Sequence, residues 1–462
     1  MSKSTHFIGH PLYSQITKNI DKSRVLRISR ELGGERSIKS FDAWTHLVVM
    51  LYAILNRFDS LREIPVSMQA EAKKLSHLGI ANIACKSTLS DANRRRPEEV
   101  FGTIYRGLYA RYHHLLSSDS RQRRGGNMPK WFNRLKIIDS TTITLFSNLV
   151  FKGVGRHPKI GKKKGGVKVH TVIHANEGVP ADVRFTSAAT HDSFMLIPSH
   201  LSKGDIIAMD RAYINYAKFE EMTQRGVIYV TKMKKNLVYK VEKDTIYQTE
   251  HEGMEVRVQQ VTFKKELQKG EAIKHRARII TCADVQKHRL ISLLTNDLTS
   301  DPNEIIKIYK ERWAIKLLFK QLKQNIPLRY FYGESANAIK IHVWVTLIAN
   351  LLLKVMKQRL DRFWSFSGLA TMVRITFLMY YVNFYSLFNH PEKDWEKCLK
   401  DASEPPKMAT LFNRGGLEFK IIRLNRIKSA IEPPRYTHFR IPRTAMVLSI
   451  GKINSDYGKR IL

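Results

Sequence analysis

Apolar residues recur at helical spacing early in the chain. Trp44, Leu47, Leu51 and Leu55 predict an amphipathic helix between Phe41 and Phe58, and a second such stretch runs from Val100 to Tyr112. Between them, Lys86 to Arg96 reads as a short basic helix with a serine cap, ending in the consecutive arginines Arg94, Arg95 and Arg96, which suits a helix that lies on phosphates or enters a groove. The polar stretch from Ser117 to Asn127, with its Arg-Arg-Gly-Gly, marks a linker. The expected division is therefore a helical N-terminal domain over residues 1–116 and a linker over 117–133.

Past the linker the period shortens. Leu135 to Phe146 is rich in Ile and Thr, and Val167 to His174 alternates, as does Val179 to Ser187 after an Asn176-Glu177-Gly178 turn. A helix is expected from Asp192 to Leu201, a short apolar strand from Asp205 to Met209, a helix from Tyr213 to Arg225 and a strand from Val227 to Thr231. This is a mixed α/β order. Residues 236–297 alternate charged and β-branched positions and read as a β-rich insertion. Asp301, Pro302 and Glu304 then start a helix that Pro327 stops, closing a core over residues 134–335. Apolar helices from Ala338 to Leu360 and from Ser367 to Leu387, followed by a basic tail containing Pro433-Pro434, make up residues 336–462.

Charge narrows the function. Among 462 residues, Lys and Arg outnumber Asp and Glu by 78 to 41, a formal excess of +37 spread along the whole chain. Such an excess suits a protein that follows a nucleic-acid duplex better than one that binds a single small anion. From Phe151 through Lys168 there are seven Lys or Arg and no acid, and Lys162, Lys163 and Lys164 sit between glycines where a loop can track a phosphate backbone. The apolar runs Val343–Leu353 and Phe377–Val382 fall short of a bilayer span and read as core, so no membrane is expected. Cys85, Cys282 and Cys398 are odd in number and far apart, and no secretory signal opens the chain, which together suggest a reducing cytoplasm. His170 and His174 share a strand face, but without a zinc-finger spacing they read as ordinary imidazoles.

Two carboxylates stand in places that invite chemistry. Asp139 lies in the middle of a predicted buried strand, where an ionised acid is costly unless a cation pairs with it. Asp210 ends the strand Ile206-Ile-Ala-Met209, facing the crevice where such sheets bind ligands. On the Asp301 helix, Tyr309, Arg312, Lys316 and Lys323 fall within an arc of about 60° and so share one face. Ile305, Ile308, Trp313, Leu317 and Leu322 would give the same helix an ordinary apolar stripe.

In this order the residues resemble the DDE transposases of the insertion-sequence-four family, whose helix carries Y-x2-R-x3-E-x6-K. The Ser87-Thr-Leu-Ser-Asp-Ala-Asn93 segment is similar to one in the family's N-terminal, end-recognising domain, and Asp210-Arg-Ala-Tyr213 stands where D-R-G-Y is usual. The resemblance implies a ribonuclease-H-like core and a bacterial, nucleoid-associated protein. Asp139, Asp210 and a third acid would hold two Mg²⁺ or Mn²⁺ ions, while Tyr309, Arg312 and Lys323 hold phosphates. The reaction would be nicking at the terminal repeats of an element and strand transfer into target DNA, by a homodimer on double-stranded DNA. Lys316 occupies the third acid's position, exchanging a ligand for an ammonium that repels metal. Glu311 lies roughly 140° away around the helix and Glu304 about 120° away and over three turns distant, so neither replaces it. The expectation is a chain that binds DNA and cuts it poorly, unless an acid from another helix completes the site. An unrelated basic RNA-binding factor is the remaining class, and would require the paired aspartates and the Tyr-Arg-Lys face to be coincidence.

Overall fold

The computed structural model describes residues 10–390 apart from 76–77, 79, 81, 124–128, 145–154, 157–164, 235, 249–254, 267–271, 285–288, 326–330 and 382. The described residues start with β1 (His10–Pro11) and a run of helices: α1 (Leu12–Thr17), α2 (Lys22–Glu31), α3 (Ala43–Asn56), α4 (Glu63–Ala70), α5 (Ala72–Leu75), α6 (Lys86–Arg95) and α7 (Glu98–Arg123). The starts of α2 and α3 are set locally, where the Asp21 carboxylate accepts from the Ser23 and Arg24 amides and the Asp42 carboxylate from the Thr45 amide. Helix α7 runs on to Arg123, so the first residues of the expected linker are helical.

Among the described residues the central sheet has ten strands, comprising β2 (Leu135–Thr144), β3 (Gly155–Arg156), β4 (Gly165–His174), β5 (Pro180–Ser187), β6 (Ile206–Met209), β7 (Ile228–Lys232), β8 (Lys240–Gln248), β9 (Glu255–Glu266), β10 (Ala272–Asp284) and β11 (Arg289–Thr295). Strand β2 lies antiparallel to β4, which also pairs with β5 and β3, and parallel to β6 on its other side; β6 is parallel to β7. The chain thus turns one way from β2 to β4 and the other way from β2 to β6, and the ends of β2 and β6 lie at the point where the order reverses. Beyond β7 the antiparallel strands β11, β10, β9 and β8 extend the same sheet, so the β-rich insertion continues it edgewise. Helix α8 (Tyr216–Gln224) crosses from β6 to β7 and packs on β10.

Three expected helices are not continuous. Asp192 to Leu201 forms only short 3₁₀ turns at Asp192–Met195 and Pro198–His200, because Pro198 lacks the amide a longer helix would need. The Ser367–Leu387 segment divides into α12 (Phe366–Thr376), the strand β12 (Tyr380–Tyr381) that pairs with β1, and α13 (Phe384–Asn389). The Asp301 helix also divides, into α9 (Pro302–Glu311) and α10 (Trp313–Asn325), with Arg312 at the joint.

One hydrophobic core joins the N-terminal helices to the sheet. Its axis is α11 (Ala336–Gln358), which packs on α3, α6, α7 and α12. This helix is long and apolar enough to cross a membrane, but nearly all of it is buried inside the protein, as expected of a core helix. Gly102 permits its close approach to α7, since a Cβ there would lie 3.0 Å from the Trp344 indole.

Candidate active site

The parallel register of β2 and β6 brings the two aspartates together. Ile137 pairs with Ala208, and Asp139 and Asp210 each lie two residues further on, at neighbouring positions above the reversal point. Each carboxylate is steadied by a following amide: Asp139 Oδ1 accepts from Ser140 N at 2.9 Å, and Asp210 Oδ1 from Arg211 N at 2.7 Å. Asp139 is largely buried, and burial pushes its pKa above the usual carboxylate range; the Ser140 amide, Arg312 and Lys316 oppose that shift.

Helix α10 supplies the other wall. Asp139, Ser140, Asp210, Lys316, Phe319, Lys320, Lys323 and Gln324 line an open pocket of about 500 Å³. Lys316 is half-buried and its ammonium lies 5.4 Å from the Trp313 ring centre. Arg312, at the joint, is buried with its Nη1 3.7 Å from Asp139 Oδ2 and its Cζ 5.3 Å from the Tyr309 ring centre. Nε and Nη1 of Arg312 make no hydrogen bond, so this guanidinium meets Asp139 as a charge rather than through a bidentate fork. Burial raises the Tyr309 phenol pKa, and Asp210 adds to the shift.

Asp139, Asp210, Arg312 and Lys316 therefore lie together, with Lys323 on the same pocket and Tyr309 beside them. Sequence reasoning missed Ser140, Lys320 and Gln324. Lys320 was visible in principle, because it follows Lys316 by four residues and must share its face. Ser140 also reaches behind the site, donating from Oγ to Asp192 Oδ1 at 2.7 Å, while Lys168 Nζ lies 3.3 Å from the same carboxylate oxygen. The expected apolar stripe is different in the structure: Ile305, Ile308, Ile315, Leu318 and Leu322 are buried, whereas Trp313 and Leu317 are 55% and 53% exposed.

The basic candidates separate. Arg94 and Arg95 are on the surface near Asp91, at 3.1 and 2.9 Å. Arg96 departs from the expectation of a phosphate contact: it is buried, donating from Nε to Gly34 O, from Nη2 to Phe41 O and from Nη1 to His46 Nδ1. The reason is local, since helix α6 ends at Arg95 and Arg96 turns to extended backbone that swings its side chain inward. Cys85, not a serine, occupies the N-cap of α6 and makes no side-chain capping bond. Lys162, Lys163 and Lys164 lie outside the described residues, as does the basic tail. His170 Nε2 is 2.7 Å from Thr186 Oγ1, and among the described residues no group of three or more His, Cys, Asp or Glu is placed to hold a metal ion.

Comparison with known proteins gives this arrangement a context. A family model described as a transposase DDE domain matches residues 130–352, and one described as a domain of unknown function (DUF4372) matches residues 8–81. The chain is 30% identical over 281 residues to y4zB of Sinorhizobium fredii, named as a transposase, covering 59% of this chain and 72% of that one. It is 24% identical over 274 residues to a protein of Geobacillus stearothermophilus named as the transposase for insertion sequence element IS5377, covering 59% and 67%. A protein of Synechocystis named as the transposase for insertion sequence element IS4SA is 25% identical over 305 residues, covering 64% and 78%.

Proposed function

The chain belongs to the DDE transposases of insertion sequences, and on that premise we propose that it binds the DNA ends of its element while cutting them poorly. The observation that carries this reading is that Lys316 lines the same pocket as Asp139 and Asp210. The strand order β5-β4-β2-β6-β7 supports the ribonuclease-H-like reading of the core, with Asp139 and Asp210 as its acids. Tyr309, Arg312 and Lys323 on one wall, and Arg94 and Arg95 on α6, are the groups that would meet phosphates. A homodimer on double-stranded DNA is the assembly that the family reading favours.

DDE transposases typically use divalent ions held by carboxylates. The donor set here does not suit a pair of them. Two carboxylates face the Lys316 ammonium across one pocket, and the Arg312 guanidinium stands 3.7 Å from one of them. Asp192, a candidate substitute acid, is already engaged by Lys168 and Ser140. No step of strand cleavage is therefore assigned to this chain as it stands.

The test pairs the unaltered protein with Lys316→Glu and follows nicking of duplex DNA carrying the element's terminal repeats, in Mg²⁺ or Mn²⁺. Cleavage confined to the variant, at least about a hundredfold above the unaltered protein, is the expected result, because one restored ligand acts directly on phosphoryl transfer. Equal cleavage by both proteins would sink the reading and point to another acid such as Asp192.

A further inference from the structure

The pocket that lacks a third acid has an unusual charge balance. Two carboxylates, Asp139 and Asp210, share it with the ammoniums of Lys316, Lys320 and Lys323, and the guanidinium of Arg312 backs Asp139. Four cations therefore face two anions among the described residues. A site of three carboxylates repels a phosphodiester until metal ions reverse its sign. This one is cationic with nothing added.

Geometry assigns the central place to Lys316. Its stem rises from the first turn of α10, its ammonium lies 5.4 Å from the Trp313 ring centre, and the residue lines the pocket half-buried, so the charge is only partly screened by solvent. Lys320 and Lys323 follow it at four and seven residues on the same helix face. The row parallels the way successive phosphates are met by lysines along a helix. The pocket's volume, about 500 Å³ and open to solvent, leaves room for a nucleotide backbone between that row and the aspartates.

We propose that the pocket takes a phosphodiester of DNA directly, without a divalent ion, and that Lys316 is the group that neutralises it. This rests on the DNA-binding reading above and goes beyond it, because it makes metal unnecessary for occupancy of the site and not only insufficient for cleavage. The exchange of acid for lysine then converts a metal-gated site into a standing phosphate site, suited to a chain that occupies ends without processing them.

The experiment measures binding of a fluorescein-labelled duplex carrying the terminal repeat, by anisotropy, in EDTA and in Mg²⁺ at matched ionic strength. The full-length protein, Lys316→Ala and Lys316→Glu are compared, with circular dichroism confirming that each folds. The unaltered protein should bind equally in both buffers, and Lys316→Ala should bind about three- to tenfold more weakly in EDTA, as expected for one charge-assisted phosphate contact. Lys316→Glu should bind more weakly still in EDTA and recover on adding Mg²⁺. Affinity of the unaltered protein that rises with Mg²⁺, or a Lys316→Ala variant that binds as tightly as its parent, would overturn the proposal and leave DNA binding itself intact. Failure of the unaltered protein to bind the duplex in either buffer would instead remove the functional reading on which the proposal stands.

Discussion

Burial makes His46 report on pH through folding. Its Nδ1 accepts from Arg96 Nη1 at 2.8 Å, and its Nε2 donates to Asn93 Oδ1 at 2.8 Å, so both ring nitrogens are committed in the neutral form. Burial, and next the Arg96 charge, lower its pKa from 6.5 to about 3. Between those values the unfolded chain holds a proton that the folded chain does not, so stability is full above about 6.5 and falls as pH drops toward 3. This single imidazole should remove about 2 kcal/mol between about pH 7 and about pH 5. Urea unfolding at the two pH values checks it, with His46→Gln expected to be less stable at neutral pH but flatter across the interval. Arg96→Ala belongs to the same network and should cost about 3–5 kcal/mol, because it leaves carbonyls and an imidazole buried without their donor. Arg94→Ala and Arg95→Ala, on the surface, should each change stability by less than about 0.5 kcal/mol while weakening DNA binding. Thermal unfolding beside a binding titration separates the two kinds of arginine.

Helices α6, α7 and α11 are tied by a side chain that no sequence pattern announced. Asn337 Nδ2 donates to Asn93 O and Arg96 O at 2.9 and 2.7 Å, and its Oδ1 accepts from the Glu98 amide at 3.0 Å. Asn337→Leu should therefore cost about 2–3 kcal/mol by orphaning backbone groups at the junction, measurable as a lowered urea midpoint. What could be read beforehand follows the same division between local and distant. The strands bearing Asp139 and Asp210, and the start of α9 just ahead of the helix bearing Lys316, were legible because alternation, a strand end and the Asp301-Pro302 cap are local signals. The joint at Arg312 and the burial of Arg96 were not, since each depends on a partner far along the chain. For Arg312 that partner is Asp139, and for Arg96 it is the Gly34 and Phe41 carbonyls. Trp313 and Leu317 fitted an apolar stripe by spacing, but the side of the helix that faces the core is chosen by the sheet and α12, so they remain exposed.

At the scale of the whole molecule the governing quantity is the +37 excess. Charge on this scale makes association with DNA fall steeply with salt, since each neutralised phosphate releases counterion and contributes about −0.9 to the slope of log affinity against log salt. On the proposed reading the pocket supplies only a few such contacts, which leaves α6 and the lysine-rich segment between β2 and β4 as the proposed source of most of the slope. Neutralising Lys162, Lys163 and Lys164 to alanine should lower the slope by about 2.7 if all three meet phosphates. Lys316→Ala should lower it by about 0.9. If the segment and the pocket meet different phosphates, the triple and single changes add when combined. Titrations of the same duplex across a range of potassium chloride, in EDTA, supply all four slopes. A triple variant with the parental slope would show that the segment between β2 and β4 carries its charge in solvent, and the search for the missing phosphate contacts would move to Arg94 and Arg95.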